Sequence, residues 1–356
     1  MWFRAFIPMA FLMAGCANAQ TVPSIQEQRE IMTTQKELII VAAPGAKDGY
    51  YAAVADDIFD FHIAYGKAVL EHDDFLVLSD AEQYSKYANA LGDAYVLMAP
   101  QADIWARDFS LSNAVAPIMF RYTAEGQGGG RRGQAGADHV QDVLADLMAD
   151  AGLRFTESDL LNDGGNFVDD YAGRVVVSRK FLTDNDVSEA DARAELLHYS
   201  DVTQIAFIDA DEQGGLEHAD GVVAFLEPGL LVMNSYPEDP DYAAQLKSDL
   251  MSGLPDVEIH EIITPYDGSD IYDEKFGSAC GLYTNMLVSP DRVYLPQFGI
   301  PEDAQALAQV RALTEKQVIP VRSDQVCYMG GGVRCMSWQL RGENAERLKA
   351  WAAGPG

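Results

Sequence analysis

The sequence predicts a mixed α/β chain folded as one continuous domain, and three observations carry that expectation. Short apolar runs recur along the 356 residues, helical patterns lie between them, and no low-complexity linker interrupts the series. Strand candidates fall at 37–43, 75–78, 95–99, 117–122, 175–178, 205–209, 230–234, 257–263, 286–289, 293–296 and 318–321. Helical patterns cover 138–151, 188–199, 242–251, 302–314 and 343–352. Ser188 with Asp191 three residues on fits a helix-capping arrangement, and Pro301 before Glu302 fits a helix start. Ser289-Pro290-Asp291-Arg292 reads as a turn, so 283–297 is expected to be a hairpin. A doubly wound sheet is disfavoured, because no glycine-rich nucleotide loop follows the first strand and hairpins sit among the helices. A repeated unit of about 60 residues, helices outside and strands inside, fits the spacing.

Residues 1–19 read as an export leader. Arg4 supplies the positive start, and the apolar stretch 5–15 is too short to span a bilayer. Ala17-Asn18-Ala19 is a small-x-small cleavage site, while Met13-Ala14-Gly15-Cys16 also resembles a lipobox, so a lipid anchor on Cys16 stays open. Residues 20–36 are then an N-terminal extension and 37–356 the catalytic domain. The expected location is outside the cytoplasm, periplasmic or secreted, with membrane contact only through such an anchor. Lys and Arg number 25 against 55 Asp and Glu, a net charge of −30. A surface this acidic repels nucleic-acid phosphates and draws cations. Cleavage behind Ala19 leaves Cys280, Cys327 and Cys335, an odd number where thiols tend to pair. Two outcomes stay open for Cys280 and Cys327: a disulfide, or two buried inert thiols.

Five short segments concentrate reactive side chains: Trp105-Ala106-Arg107-Asp108, Asn162-Asp163-Gly164-Gly165-Asn166, His218-Ala219-Asp220-Gly221, Tyr283-Thr284-Asn285, and Gly330-Gly331-Gly332-Val333-Arg334-Cys335. Three consecutive glycines cost backbone entropy, so a left-handed turn or a close approach to the chain is expected there. A cysteine just beyond such a turn can present its sulfur in a cleft, and Arg334 beside it favours the thiolate if it points inward. His218 and Asp220, two apart, suit an acid/base group beside a cation-binding carboxylate. No His or Cys pair has metal-ligand spacing, so no metal site is expected.

In this order and spacing the five segments resemble the agmatine deiminase and bacterial peptidylarginine deiminase family, which belongs to the pentein superfamily of guanidine-modifying enzymes. The resemblance runs from about Val41 to Met336. It implies the pentein fold, a five-bladed β/α propeller of pseudo-fivefold repeats with the site in its central channel. It implies Cys335 as nucleophile, His218 as general acid and base, and Asp108 and Asp220 as the carboxylates that grip a planar, forked guanidinium. Trp105, Asp163, Asn166, Asn285, Gly331 and Gly332 are then candidate substrate contacts, with Asp163 standing where Glu is usual. No cofactor is implied. The family usually carries His immediately before the nucleophile, where this chain has Arg334, a departure that bears on substrate preference.

The expected activity is hydrolysis of the guanidino group of peptidyl or free arginine to citrulline and ammonia through a covalent thiouronium. Export and the basic pair Arg131-Arg132, read as a loop clamp for a substrate carboxylate, put that reading first. Agmatine deimination is the alternative, and a catalytically silent guanidino-ligand binder comes after it.

Overall fold

The computed structural model describes residues 36–199, 202–211 and 215–354. The leader, the lipobox and most of the N-terminal extension lie outside the described residues. β1 (Leu38–Ala42) is followed by α1 (Ala55–Leu70), β2 (Asp74–Ser79), α2 (Ala81–Leu91) and β3 (Val96–Met98). Next come α3 (Ala106–Phe109), β4 (Ile118–Arg121), α4 (Gly130–Asp150), β5 (Thr156–Leu161), β6 (Val168–Asp169) and β7 (Arg174–Ser178). The chain continues through α5 (Lys180–Asn185), α6 (Glu189–Leu196), β8 (Gln204–Ile208), β9 (Val223–Glu227), β10 (Leu230–Asn234), α7 (Pro240–Gly253) and β11 (Glu258–Ile262). It ends with β12 (Leu287–Val288), β13 (Arg292–Gln297), α8 (Asp303–Leu313), β14 (Gln317–Arg322), β15 (Trp338–Leu340) and α9 (Gly342–Ala352).

These strands form five separate sheets, and one wiring recurs in them. A parallel pair is joined by a helical crossover in each: β1–β2 by α1, β4–β5 by α4, β7–β8 by α5 and α6, β10–β11 by α7, β13–β14 by α8. An antiparallel strand flanks four of these pairs: β15 on β1, β6 on β7, β9 on β10, β12 on β13. In the fifth unit the same place is taken by a single antiparallel bridge between Ser112 and Ile118. The repeat suspected in the sequence is therefore present as topology, with the last strand, β15, completing the first sheet beside β1.

The expected hairpin forms, with Leu287 opposite Tyr294 and Val288 opposite Val293. Ser188 caps α6 as its spacing predicts, its hydroxyl accepting from the Asp191 amide. The core lies on both faces of the sheets. Ile39, Val41 and Val77 pack against Ile58, Phe61, Tyr65 and Val69 of α1. Leu38, Ile40, Leu76 and Leu78 pack against Val140 and Leu144 of α4 and Leu348 of α9. This is why β1 reads as an unbroken apolar run rather than an alternation. Helix α1 comes so close to β2 that a side chain at Gly66 would strike the Phe75 ring, 2.5 Å from the place of its Cβ. Among the described residues no helix is long and apolar enough to cross a membrane.

Candidate active site

Each of the five reactive segments lies just ahead of the strand or bridge that opens the antiparallel edge of its unit. Trp105–Asp108 precede the Ser112 bridge, Asp163–Asn166 precede β6, His218–Gly221 precede β9, Asn285 precedes β12, and Gly330–Cys335 precede β15. The repeat delivers one chemical cluster per unit to the same place.

Cys335 is buried and is the free cysteine among the described residues. The Asn285 side-chain amide donates to its Sγ at 3.0 Å, and the thiol points to Asp220 Oδ2 at 3.9 Å. Its backbone is tied into the site as well, since its carbonyl accepts from the Arg107 amide at 3.1 Å. The glycine run ahead of it serves two of the purposes expected. Gly330 turns the chain at φ 100°, and a Cβ on Gly331 would overlap the Trp105 ring and lie 2.8 Å from Cys335 Cβ. Gly332 meets neither demand, its nearest neighbour being Asn285 Oδ1 at 3.6 Å.

His218 sits between two carboxylates. Its Nε2 is 3.0 Å from Asp163 Oδ2 and its Nδ1 is 3.7 Å from Asp108 Oδ1. Asp163 is held by the amide and hydroxyl of Thr123 at 2.8 and 2.9 Å, and Asp108 by the Gly165 amide at 3.2 Å. A Cβ on Gly165 would come within 2.5 Å of His218 Nδ1, so this contact requires glycine. Burial pushes the Asp108 carboxyl up, as do Asp163 and Asp220, and His218 offsets this only in part, leaving it at about 7. Burial pulls His218 down, but Asp108, Asp163 and Asp220 outweigh it and lift the imidazole to about 10. The Cys335 thiol is raised well above the usual range, by burial first and by Asp220 and Asp108 next, against the pull of Asn285 and Arg334. The surroundings therefore favour the protonated forms of Asp108, His218 and Cys335 alike.

Two cavities meet at this centre, and Cys335, His218 and Gly330 line both. The first, about 350 Å³, is bounded by Trp105, Asp108, Asp48, Asp103 and Asp273, with Lys275 as its cation beside His218. The second, about 620 Å³, is bounded by Asp220, Glu238, Asp239 and Asn285. No arginine is among the described residues lining either.

Several expected contacts lie elsewhere. Arg131 and Arg132 are exposed and sit in the first turn of α4, not in a glycine-rich loop, so they clamp nothing in either cavity. The glycines that suggested a loop, Gly128, Gly129 and Gly130, all have positive φ and lead straight into the helix. Asn166 is buried in a framework role, bonding Asn162 and the Ser178 amide. Asp163, Gly331 and Gly332 are not among the described residues lining either cavity, and Asp163 meets the centre at His218 Nε2. Asp220 is not open on every side, because Arg334 Nη1 donates to its Oδ2 at 2.6 Å. Sequence reasoning missed Asp103, which accepts from Tyr51 and Gln127 in the first cavity. The only signal was its place two residues before Trp105. Thr123 carried no signal. Among the described residues no group of three or more His, Cys, Asp or Glu is arranged to hold a metal ion.

Cys280 and Cys327 form a disulfide, which decides between the two outcomes left open above. It lies behind the site, since Ala279 and Gly330 both bond the Cys327 carbonyl, at 2.8 and 3.1 Å.

Comparison with known proteins matches residues 31–340 to the Porphyromonas-type peptidyl-arginine deiminase family. A relative from Enterococcus faecalis that carries the agmatine deiminase name is 26% identical over 216 residues, 52% of this chain and 58% of its own length. The agmatine deiminase of Stutzerimonas stutzeri is 24% identical over 322 residues, 78% of this chain and 85% of that one. Among solved structures, the agmatine deiminase of Enterococcus faecalis superposes with a TM-score of 0.69 at 18% identity, covering 87% of this chain and 94% of that chain. A C. jejuni agmatine deiminase with substrate bound gives 0.70 at 15% identity, covering 87% and 95%. At these identities the structural likeness speaks for the fold alone, a mixed α/β fold shared with agmatine deiminases. The family match extends over nearly all the described residues and over every one of the five clusters, and so this chain belongs to the Porphyromonas-type peptidyl-arginine deiminase family of the pentein superfamily, hydrolases of the C–N bonds of linear amidines.

Proposed function

We propose that this protein is a deiminase of the agmatine type, acting on a small guanidine whose far end is also cationic. One observation carries this reading. The walls of both cavities bear Asp48, Asp103, Asp273, Glu238 and Asp239 beyond the reacting centre, and no arginine to receive a carboxylate. A second cationic group is attracted by such walls, and a carboxylate is repelled. The arginine-directed reading placed first from sequence loses one of its two supports, because the Arg131-Arg132 pair is on the outer surface, and keeps only export. Lys275, in the first cavity, is the observation that keeps free or C-terminal arginine as a second reading.

In this scheme the guanidinium lies between Asp108 and Asp220, its plane against Trp105. Its positive charge beside the sulfur lowers the cost of ionising Cys335, and the thiol loses its proton to solvent. The thiolate attacks the guanidino carbon to form a C–S bond. His218, already protonated, gives its proton to the departing nitrogen, and the C–N bond breaks to release ammonia. The neutral imidazole then takes a proton from water, whose oxygen attacks the thiouronium carbon. Collapse breaks the C–S bond and leaves a ureido product and the free enzyme.

The repeated wiring of the five sheets supports closure of the units into a five-bladed propeller around this centre, with β15 joining the end of the chain to its start. The Cys280–Cys327 disulfide supports export to an oxidising compartment, by way of the leader at 1–19. Whether that leader ends in a lipid anchor on Cys16 is decided by the mass of the mature N-terminus.

The deciding experiment measures ammonia release from agmatine, free arginine, and peptides with internal or C-terminal arginine. The expected outcome is a kcat/KM for agmatine at least tenfold above the others. Preference for any arginine substrate would return the reading to the arginine side, and no release from any of them would leave a guanidino binder.

A further inference from the structure

Arg334 has no part in the acid–base scheme above, yet few side chains at the site are held from more directions. Nη1 donates to Asp220 Oδ2 at 2.6 Å and reaches the Gly164 carbonyl at 3.5 Å, while Nη2 donates to the Phe167 carbonyl at 3.0 Å. The guanidinium thereby bridges the turn that carries Asp220 and the turn that places Gly165 against His218. The Asp220 oxygen it grips is the same one that the Cys335 thiol faces at 3.9 Å. One buried carboxylate oxygen is thus shared between a fixed cation and the nucleophile.

We infer that Arg334 is a positioning residue that acts through Asp220: it fixes that carboxylate beside the sulfur and offsets its charge, and so sets the pH at which Cys335 ionises. The groups that face the sulfur are Asp220 from the 219–221 turn, Asp108 from α3, the Asn285 amide and Arg334 itself, with His218 lining the same two cavities. Those that face the guanidinium are Asp220, Asp169 and Tyr171, with Arg107 as a like charge. Taking the guanidinium away leaves Asp220 uncompensated: two carboxylates and the burial oppose a thiolate, with the Asn285 amide and a protonated His218 in its favour. The same pairing bears on the substrate. A guanidinium entering the site meets two carboxylates that each have one oxygen already committed, Asp220 Oδ2 to Arg334 and Asp108 Oδ1 to the Gly165 amide. The inference deepens the deiminase reading, because it assigns the control of that reaction's nucleophile, and it rests on that reading for its catalytic meaning only.

The test needs no substrate. The full chain is alkylated with iodoacetamide across a pH series, and modification of the Cys335 peptide is followed by mass. The expected order of midpoints places Asp220→Asn and the double variant, Asp220→Asn with Arg334→Met, together at the low end, then wild type, then Arg334→Met. The last lies roughly one pH unit above wild type. Arg334→Lys, which keeps the charge and loses the fork, is expected to stay near wild type in midpoint. The double variant leaves no buried charge unpaired, so it decides the matter even if Arg334→Met alone does not fold. A midpoint for the double variant well above that of Asp220→Asn alone would show the guanidinium acting on the sulfur without Asp220 and would overturn the inference. Ammonia release fails independently: a protein that deiminates nothing while its alkylation midpoints keep this order has lost the function, not the positioning role.

Discussion

At the scale of single residues, the imidazolium held between Asp108 and Asp163 sets the working pH range. Asp108, at about 7, must be ionised to hold a guanidinium, so kcat/KM rises as pH climbs through that value. His218, at about 10, must be protonated to release ammonia, so kcat/KM falls as pH passes that value. The Cys335 thiol, raised well above the usual range, must ionise as well, so kcat/KM keeps rising between those values; the expected profile for agmatine is a bell with an alkaline maximum, and its limbs belong to the coupled set of groups. Asp108→Asn is expected to remove the rising limb along with most activity. A profile centred below pH 7 would contradict the assignment. The glycine run gives a second prediction. Gly331→Ala drives a methyl into the Trp105 ring, which costs about 1–3 kcal/mol of stability and disturbs Cys335. Gly332→Ala, with nothing nearer than 3.6 Å, is expected to cost under about 1 kcal/mol, and paired thermal melts and kinetics compare the two.

At the scale of elements, the disulfide braces the segment that carries Cys335. It closes 47 residues, and its Cys327 carbonyl holds both Ala279 in one cavity wall and Gly330 at the turn before Cys335. Replacing Cys280 and Cys327 together with Ser is expected to lower stability by about 2–4 kcal/mol and to raise KM. Thermal melts and kinetics of the wild type with and without reductant should reproduce both effects. The elements also show what the sequence could disclose. Most strands with apolar runs were legible to within a residue or two, β10 (Leu230–Asn234) without error, because burial on both faces writes itself as composition, although β9 (Val223–Glu227), just as apolar, was not among the candidates. β5 was not, since its Thr156-Glu157-Ser158-Asp159 start is half exposed and polar. β6 has two residues, too few for any pattern, whereas β12, equally short, fell within the 286–289 candidate because of the hairpin it opens. Helix α1 did carry the signal: Ile58, Phe61, Tyr65 and Val69 recur at helical spacing, all of them buried. The centre was legible for a different reason. Cys335, His218, Asp108 and Asp220 announce themselves by reactive type beside glycine, and the structure brings all four together. Asp163 against His218, and Arg334 against Asp220, are contacts between segments 55 and 114 residues apart, which no local pattern encodes. Arg131 and Arg132 were misplaced for a similar reason: a glycine-rich helix start looks like a loop until its backbone is seen.

At the scale of the molecule, the net charge of −30 becomes an argument about substrate once the cavity walls are known. A field of one sign, continued into a low-dielectric cleft by Asp48, Asp103 and Asp273, concentrates cations near the sulfur. Mobile ions screen that field, with a Debye length falling from about 30 Å at 0.01 M to about 8 Å at 0.15 M. A doubly charged substrate loses more from screening than a singly charged one, because each of its charges couples to the wall. For agmatine, kcat/KM is therefore expected to fall several-fold, on the order of 10-fold, between those ionic strengths. For butylguanidine, which keeps the guanidinium and lacks the terminal amine, the fall should be about half as steep on a logarithmic scale. Free arginine, whose carboxylate meets the same wall, should show a shallow slope or an opposite one. Steady-state kinetics over a sodium chloride series measures all three on one protein. Equal slopes for agmatine and butylguanidine would mean that the acidic walls do not touch the far end of the substrate. In that case the preference for a second cation would have to come from a contact other than the field of the chain.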